Sequence, residues 1–247
     1  MIRANRDLPD RLATLIESKS IDWVMEEQPV RWQPDKWTAH WQKHSLPCLS
    51  VLTELASEFR QHQTIRRKFL FETYQDRAAR ELLTAVMAWG LGLSNYGPSR
   101  AGRILSQDHA DKAIEAVVDA ARQGGAAAGY GTYYTKGNTL KGLDVSFITK
   151  LIHFAGYESR HRPRPLIYDK LVATAITRLP TAPLLPDIED QVTTVAYEHY
   201  CQWAHDTAVE NGTEPAVVEW ALFTLGDEIR STLRSVRARG TRKRTDR

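Results

Sequence analysis

Hydrophobic residues recur three and four positions apart along most of this 247-residue chain. In the segment 79–91 ("ARELLTAVMAWGL"), this spacing places Leu82, Val86 and Trp89 on one face of a helix. The same spacing recurs in the segments 109–125, 145–157, 169–180, 188–212 and 215–236. No run of alternating apolar and polar residues indicates a β-strand. The pattern therefore predicts an all-α fold of about ten helices.

Proline and glycine interrupt the helical pattern at two places. Pro180, Pro183 and Pro186 mark one boundary, and the segment 94–102 ("SNYGPSRAG") marks another. The N-terminal segment 21–45 carries four of the seven tryptophans and is itself interrupted by prolines. Such a segment is too aromatic for a linker, so we expect it to wrap onto the helical body, with its tryptophans in packing contacts.

The overall composition is that of a globular protein, with 42% hydrophobic and 26% charged residues. No window approaches the roughly 18–20 consecutive apolar residues that a membrane span requires. Residues 1–20 contain no apolar core of a secretion signal, so we expect a cytoplasmic protein with no membrane partner. Cys48 and Cys201 have no metal-ligand spacing and are expected to be reduced core thiols.

Positive charge is concentrated at the C-terminal end. The formal net charge is +3, and residues 234–247 contain seven Arg or Lys and one Asp. A cationic tail of this kind releases counterions when it binds phosphates, which makes it a candidate nucleic-acid tether. The alternative is a solvated tail that only promotes solubility, and composition alone does not distinguish the two.

A lone lysine, Lys150, stands in the apolar and aromatic segment 145–157 ("VSFITKLIHFAGY"). On a helix, Phe147, Lys150, Phe154 and Tyr157 fall along one stripe. An amine surrounded by aromatic rings is partly desolvated, which favours its neutral, nucleophilic form. The alternative is a structural lysine whose ammonium group extends past its apolar neighbours into water.

A lone aspartate, Asp169, separates the apolar stretch "PLIY" from the helical pattern "KLVATAI". It is well placed to cap that helix by accepting hydrogen bonds from the first amides. A carboxylate fixed in this way also stays ionised and is suited to facing a developing positive charge. Both readings are compatible with the sequence.

Taken together, these features resemble the helix-hairpin-helix DNA glycosylases. A glycine-containing turn ("LKGLD", 140–144) precedes the helix with Lys150, and Asp169 follows nineteen residues after the lysine. In that superfamily the helix after the hairpin supplies a lysine nucleophile in the bifunctional members, and an aspartate at the start of the next helix serves in all of them. The chain is most similar to bacterial proteins with an 8-oxoguanine DNA glycosylase fold. The likeness runs from Leu82 to Gly226 through "VMAWGLGLSNYGPSRAGRI", "GLDVSFITKLIHFAG", "RPLIYDKLVATAI" and "VVEWALFTLG".

The hairpin departs from the pattern of that superfamily. The usual motif is Gly-apolar-Gly with the lysine two residues further on, whereas here Asp144 replaces the second glycine and Lys150 lies six residues beyond it. An alignment on the hairpin puts Ser146 at the nucleophile position, and an alignment on Asp169 puts Lys150 there. Lys150 is preferred because an amine can form a Schiff base with a sugar and a serine cannot.

The resemblance implies a fold of two helical lobes, with a helix-hairpin-helix motif and an active-site cleft between the lobes. On this basis residues 1–75 form a tryptophan-rich segment packing on the second lobe, 76–160 the lobe with the hairpin, 161–229 the second lobe, and 230–247 a basic tail. Asp169 is then expected to stabilise the cationic sugar, and Lys150 to attack it. The expected walls of the pocket for an extruded base are Trp89, Tyr96, Phe147, Phe154 and Tyr168.

The resemblance also implies a DNA-binding surface around the hairpin turn. Its expected members are the turn residues Lys141, Gly142, Leu143, Asp144 and Val145, and the basic residues Arg100, Arg103, Arg160, Arg162 and Arg164. The glycine- and tyrosine-rich segment 124–138 reads as a mobile loop that either connects two helices or fills the gap left by a flipped base. No cofactor and no metal ion are expected.

The implied function is that of a DNA glycosylase that flips out and excises a modified base, with or without abasic-site (AP) lyase activity. The base is 8-oxoguanine or a hypermodified cytosine, such as glucosylated hydroxymethylcytosine of phage DNA, so the role is either repair or defence against phage. We expect a monomer that acts on double-stranded DNA and associates with the nucleoid. The alternative is a non-enzymatic helical DNA-binding or adaptor protein, in which Asp169 is only a helix cap.

Overall fold

The computed structural model describes residues 8–180, residue 182 and residues 192–245, and all regular secondary structure within them is helical. The helices of this part are α1 (Leu8–Ser18), α2 (Ile21–Glu26), α3 (Pro34–Lys43), α4 (Leu49–His62), α5 (Arg67–Tyr74), α6 (Ala79–Leu91), α7 (Gly97–Leu105), α8 (Ala110–Tyr133), α9 (Val145–Gly156), α10 (Lys170–Ile176), α11 (Thr194–Glu210) and α12 (Pro215–Thr245). The all-α class predicted from the hydrophobic pattern is confirmed. Pro183 and Pro186 lie outside the described residues.

Helix α9 lies at the centre of the core. Every residue from Phe147 to Gly156 is buried, and α5, α6 and α8 all pack against it. Its sequence explains this position, because a helix that is apolar on all sides is stable only when it is covered on all sides. Lys150 therefore lies on a helix that is fixed by contacts along its whole circumference.

The tryptophans of the N-terminal segment are packing residues, as their composition predicted. Trp37 and Trp41 are fully buried on α3, with ring centroids 5.4 Å apart, and α3 packs against α4 and α7. Trp23 of α2 meets Trp220 of α12 edge to face at 5.2 Å. The N-terminal segment thus contacts helices that come before the hairpin turn in the sequence and helix α12, which comes after it. Helix α1 also packs against α12.

The segment 124–138 is not the mobile loop that its glycines suggested. Helix α8 continues to Tyr133, although Gly125 leaves helical geometry with φ 71° and ψ −150°. A Cβ atom at Gly125 would lie 2.9 Å from Cβ of His161, so glycine there permits a close approach of two segments. Tyr130 and Tyr133 are buried, and Tyr133 bonds the backbone of Leu140 and Leu143. Neither ring is available to fill a gap in DNA.

Helices α10 and α12 pack so closely that only glycine fits at their contact. A Cβ atom on Gly226 would lie 2.0 Å from the carbonyl oxygen of Leu171. The backbone of α12 continues to Thr245, so most of the basic segment 234–247 prolongs this helix; its side chains from residue 236 onwards lie outside the described part of the chain. None of the helices described is both long and apolar enough to cross a membrane.

The cysteines are free thiols within the helical body. Cys201 is fully buried on α11, and burial raises its pKa to about 12. Cys48 is partly buried before α4, and burial raises its pKa as well. A high pKa keeps a thiol protonated and unreactive at neutral pH.

Candidate active site

Lys150 of α9 and Asp169, the residue that caps the start of α10, lie side by side. The Nζ atom of Lys150 lies 3.3 Å from Oδ2 of Asp169, and the two side chains are only 7% and 14% exposed. Nζ also donates to Oγ of Ser146 at 3.1 Å. The two charges singled out in the sequence therefore form one ion pair, and Ser146 is the neighbour of the amine.

The stem of Lys150 packs where α6 and α9 cross, and this packing depends on Gly90. A Cβ atom on Gly90 would lie 2.8 Å from Cε1 of Phe147 and 3.1 Å from Cδ of Lys150. The Nζ atom stands 5.5 Å from the centroid of the Phe147 ring, a contact that stabilises a cationic amine. Of the aromatic residues predicted to lie along one stripe with Lys150, Phe147 thus contacts its amine.

The two carboxylate oxygens of Asp169 make different contacts. Oδ1 accepts hydrogen bonds from the amides of Leu171 at 3.0 Å and Val172 at 3.1 Å, which caps α10. Oδ2 faces Lys150. The cap and the ion pair use different atoms, so the structural and the chemical readings of Asp169 are both satisfied by one side-chain orientation.

Both residues open into a cavity of about 460 Å³, which we call the Lys150–Asp169 cavity. It lies between the N-terminal segment and helices α6, α9 and α12. Its lining comprises Gln28, Pro29, Val30, Arg67, Trp89, Gly90, Leu91, Gly92, Ser94, Ser146, Phe147, Lys150, Ile167, Asp169, Glu219 and Phe223. Of the five predicted pocket residues, Trp89 and Phe147 line this cavity.

The other three predicted pocket residues lie elsewhere. Phe154 is fully buried one turn beyond Lys150, with its ring 4.9 Å from Phe71. The ring of Tyr168 is also buried and packs 5.4 Å from Tyr200. Tyr96 lines a separate groove beside the hairpin. Helical spacing alone predicted that Phe154 lies on the same stripe as Lys150. Because α9 is covered on every side, the part of this stripe that carries Phe154 packs in the core and not at the cavity.

A buried polar network underlies the cavity. Arg67 and Glu219, 2% and 3% exposed, form an ion pair with Nη2 of the arginine 3.0 Å from Oε1. Oε2 of Glu219 accepts from the amide of Ile167 at 2.9 Å. Nη2 of Arg67 also donates to Oε1 of Gln28 at 3.2 Å, and Nη1 lies 3.3 Å from Nε2 of His153. These groups join α5, α9 and α12 with the stretch that leads to Asp169.

His153 is neutral in this network. Burial, and after it the charge of Arg67, holds the pKa of His153 well below the usual value of 6.5, with a smaller contribution from Lys150. A neutral ring fits the contacts, because Nδ1 donates to the carbonyl of Pro165 at 2.8 Å while Nε2 accepts from Arg67. The histidine therefore adds no positive charge beside the lysine.

A second cavity, the hairpin groove, collects most of the predicted DNA-binding residues. It has a volume of about 760 Å³. Its lining comprises Tyr96, Arg100, Arg103, Ile104, Gln107, Lys141, Gly142, Leu143 and Asp144. Gly142 has φ 91°, which turns the backbone back towards α9, and Val145 is the first residue of that helix. The predicted turn and two predicted arginines thus share one surface.

Three predicted DNA-binding arginines lie away from this groove or are held by other contacts. Arg164 pairs with Glu214 at 2.6 Å, and Arg162 bonds the carbonyls of Ser159 and His161. Both line a small cavity with residues of α11, and neither lines the hairpin groove or the Lys150–Asp169 cavity. Arg160 is exposed in the same loop.

Sequence reasoning missed Gln28, Arg67, Glu219 and Phe223 as members of the cavity. Glu219 carried a detectable signal, because it is a lone acid in the apolar stretch "AVVEWALF", as Lys150 is a lone base in its own. Phe223 follows one turn later, is 36% exposed and lines the cavity. Gln28 and Arg67 carry no such signal.

Comparison with known proteins gives one match. The model of the family described as "Putative 8-oxoguanine DNA glycosylase OGG-like protein" matches residues 24–223, a range that contains every residue lining the Lys150–Asp169 cavity. No curated protein and no solved structure gives a significant match to the chain. Within the described residues, no group of three or more His, Cys, Asp or Glu is arranged to hold a metal ion.

Proposed function

This chain belongs to the OGG-like family, whose description indicates a DNA glycosylase, and we propose that it extrudes a modified base from duplex DNA and cleaves its N-glycosidic bond. The observation that carries the proposal is the Lys150–Asp169 pair, 3.3 Å apart at the edge of a cavity that can hold a base. A base inside a duplex cannot reach such a pair, so the target nucleotide must leave the helix first.

In the proposed reaction Asp169 acts on the sugar. As the glycosidic bond lengthens, its electron pair moves onto the base and the sugar becomes cationic. Oδ2 of Asp169 supplies a fixed negative charge for that cation, because Oδ1 is held by the first turn of α10. The leaving base takes up a proton from solvent.

Lys150 is the proposed nucleophile. Once the glycosidic bond has broken, a proton passes from the Lys150 ammonium to Oδ2 of Asp169, and the lone pair that this leaves on Nζ bonds to the cationic C1′ of the sugar. Opening of the sugar ring gives a Schiff base, and β-elimination from it breaks the 3′ phosphodiester bond, which is AP-lyase chemistry. The position of Ser146 supports Lys150 and not Ser146 as the nucleophile. The serine hydroxyl accepts a hydrogen bond from Nζ at 3.1 Å and thus orients the amine.

The flipped base is proposed to lie against the aromatic side chains of the cavity. Trp89, Phe147 and Phe223 line it from three different helices, and Phe223 presents an exposed ring face. Stacking on such rings is favourable for any base, so the polar groups must select the base. Gln28 is proposed to take part in that selection, because it lines the cavity and its Oε1 atom, which accepts from Arg67, fixes the orientation of the side-chain amide.

Two substrate classes fit the volume. A cavity of about 460 Å³ falls within the range of roughly 300–1,000 Å³ that holds drug-sized ligands. We propose as the base either an oxidised purine such as 8-oxoguanine or a cytosine with a bulky substituent, such as the glucosylated hydroxymethylcytosine of phage DNA, and a cavity of this size supports both. The first substrate implies a role in repair, and the second implies a role in defence against phage.

The proposed path of the DNA backbone is the hairpin groove. Lys141, Arg100 and Arg103 surround a turn whose backbone amides precede α9, and a phosphate at a helix start is stabilised by such amides. The basic prolongation of α12 is the proposed second contact, which acts on any sequence through charge alone.

The deciding experiment is a screen for released bases. The protein is incubated with DNA that contains 8-oxoguanine, and with phage genomes that contain hypermodified cytosine, and the free bases are identified by mass spectrometry. Alkali treatment of matched oligonucleotides reveals abasic sites in parallel. Base release by the wild type that is far slower in Asp169→Asn supports the glycosylase. DNA binding without release from any substrate would favour the non-enzymatic DNA-binding or adaptor protein.

A further inference from the structure

The stretch Pro165–Tyr168, which leads into Asp169, is extended and buried, and side chains of three helices bond its backbone. From α9, the Nδ1 atom of His153 donates to the Pro165 carbonyl at 2.8 Å. From α12, Glu219 accepts from the Ile167 amide at 2.9 Å. From α11, the hydroxyl groups of Tyr197 and Tyr200 donate to the carbonyls of Leu166 at 2.7 Å and Ile167 at 2.9 Å. The position of Asp169 is therefore set by side chains and not by secondary structure.

A further hydrogen bond joins the residues that precede the two members of the ion pair. The hydroxyl of Thr149 accepts a hydrogen bond from the amide of Tyr168 at 3.0 Å and donates to the carbonyl of Val145 at 2.9 Å. Thr149 precedes Lys150, and Tyr168 precedes Asp169. Thr149 is fully buried, so water cannot replace the contact.

We propose that Thr149 is the positioning residue that sets the distance between the Lys150 amine and the Asp169 carboxylate. This inference rests on the proposed function and adds to it a residue that touches neither the sugar nor the base. The hydrogen bond from His153 holds the stretch at Pro165, further from Asp169. The hydrogen bonds from Glu219, Tyr197 and Tyr200 come from α11 and α12, which do not carry the lysine. Among the side-chain hydrogen bonds of the described residues, that of the Thr149 hydroxyl joins the two neighbouring positions, so its loss allows the cap of α10 to move relative to Nζ.

A displacement of this kind acts on the chemical step and not on DNA binding. Reacting groups that move by about 1 Å lose roughly a hundredfold in rate in enzymes that depend on orientation. The DNA-binding groups lie in the hairpin groove and do not contact Thr149. A positioning role therefore predicts a lower single-turnover rate with an unchanged Kd for DNA.

The test compares three variants. Thr149→Val keeps the shape and removes the hydroxyl, Thr149→Ser restores the hydroxyl, and Thr84→Val is the matched control. Thr84 is an equally buried threonine on α6, and its hydroxyl donates to the carbonyl of Arg80 in its own helix at 2.8 Å. Single-turnover excision is measured on the base found in the screen. We expect a loss of about tenfold or more for Thr149→Val, recovery to near the wild-type rate for Thr149→Ser, and no loss for Thr84→Val.

A second readout does not require excision. The chemical shift of the Lys150 side chain, assigned in labelled protein by comparison with Lys150→Gln, reports its contact with Asp169. We expect this signal to move in Thr149→Val and to keep its wild-type position in Thr149→Ser and Thr84→Val. If the wild type releases no base and Thr149→Val still moves the signal, the positioning role stands and the proposed function is overturned. An unchanged signal and an unchanged rate in Thr149→Val, or an equal rate loss in Thr84→Val, would overturn the positioning role.

Discussion

Arg100 binds Asp144 and, through the same guanidinium group, closes the hairpin turn. Its Nη2 atom lies 2.6 Å from Oδ2 of Asp144, and Nε and Nη2 both donate to the carbonyl of Gly142. Asp144 in turn caps α9 by accepting from the amide of Phe147 at 3.3 Å. Asp144, which stands where the superfamily hairpin has its second glycine, thus caps α9 and forms an ion pair with Arg100.

The pairing makes a prediction about DNA affinity. Asp144→Asn keeps an oxygen for the cap, removes a negative charge from the hairpin groove and frees Arg100 for a phosphate. We expect tighter binding to duplex DNA of any sequence, with the salt slope steeper by about one phosphate contact. The measurement is fluorescence anisotropy at several salt concentrations. Arg100→Ala is the opposite control and should weaken binding; equal Kd values for all three proteins would mean that DNA does not enter this groove.

Asp169→Asn separates the cap from the charge. The asparagine oxygen can still accept from the amides of Leu171 and Val172, but no anion then faces Lys150. We expect single-turnover excision to fall by about a hundredfold to a thousandfold, because one preorganised charge is lost. The free energy of unfolding should fall by about 1–3 kcal/mol, since the buried lysine loses a partner.

The measurement for Asp169 combines a thermal melt, the Kd for DNA and the excision rate. Retained DNA binding with slow excision is expected. Excision at the wild-type rate would reduce Asp169 to a helix cap and remove the basis of the proposed reaction.

Lys150→Gln tests the covalent intermediate. If the amine attacks C1′, borohydride will trap a protein–DNA adduct in the wild type and none in Lys150→Gln. Ser146→Ala is the matched control, since it removes the hydroxyl that orients Nζ and leaves the amine in place. We expect Ser146→Ala to give the adduct more slowly. An adduct in Lys150→Gln would place the nucleophile at another residue, and full excision without any adduct would make the enzyme monofunctional.

His153 gives the protein a specific dependence of stability on pH. Its pKa is held well below 6.5 in the folded state, while the unfolded histidine binds a proton near that pH. As the pH falls below about 6.5, the unfolded state takes up this proton first, so stability is lost by up to about 1.4 kcal/mol per pH unit. His153→Asn keeps a donor for the Pro165 carbonyl and cannot titrate.

The check on His153 is the free energy of unfolding from denaturant titrations at pH 7.5, 6 and 5, values chosen around the histidine pKa of about 6.5. The carboxylates titrate alike in both proteins, so the difference between the two curves isolates the histidine. We expect His153→Asn to lose less stability than the wild type as the pH falls. Parallel curves would show that His153 binds its proton over the same pH range in the folded and the unfolded protein.

The basic tail is tested by truncation. Removing residues 234–247 takes away seven Arg or Lys and one Asp. If the tail contacts phosphates, the truncated protein binds all duplexes more weakly and with a flatter dependence of the logarithm of Kd on salt. The excision rate of bound DNA should be unchanged, because among the described side chains the lining of the Lys150–Asp169 cavity ends at Phe223. An unchanged dependence of the logarithm of Kd on salt would mean that the tail only promotes solubility.

The two central residues could be predicted from the sequence because each is a charge out of place in a strongly apolar pattern. Such a charge must be paired or hydrogen-bonded when the segment is buried, and the spacing of Lys150 and Asp169 matched a known arrangement. Glu219 has the same signature, but its partner Arg67 lies 152 positions away in an ordinary polar stretch. Periodicity describes single helices and says nothing about which distant helices meet.

The segment around Tyr130 and Tyr133 was misread for a related reason. Its glycines suggested a loop, but they serve close packing: a Cβ atom at Gly129 would lie 2.8 Å from Cβ of Ala121. The helix tolerates them because tertiary contacts outweigh their low helix propensity. The same holds for Gly90, whose missing side chain provides the space for the stem of Lys150, a role that only the crossing of α6 and α9 reveals.

The capping of α10 by Asp169 also links activity to the integrity of the core. The helix has only seven residues, and the carboxylate that faces the lysine is held by the amides of Leu171 and Val172 at its start. This turn is not free to open alone, because Val172 is buried and the backbone of Leu171 packs directly on Gly226 of α12. Excision will therefore persist on heating until the core itself unfolds, and the temperature of inactivation will coincide with the Tm.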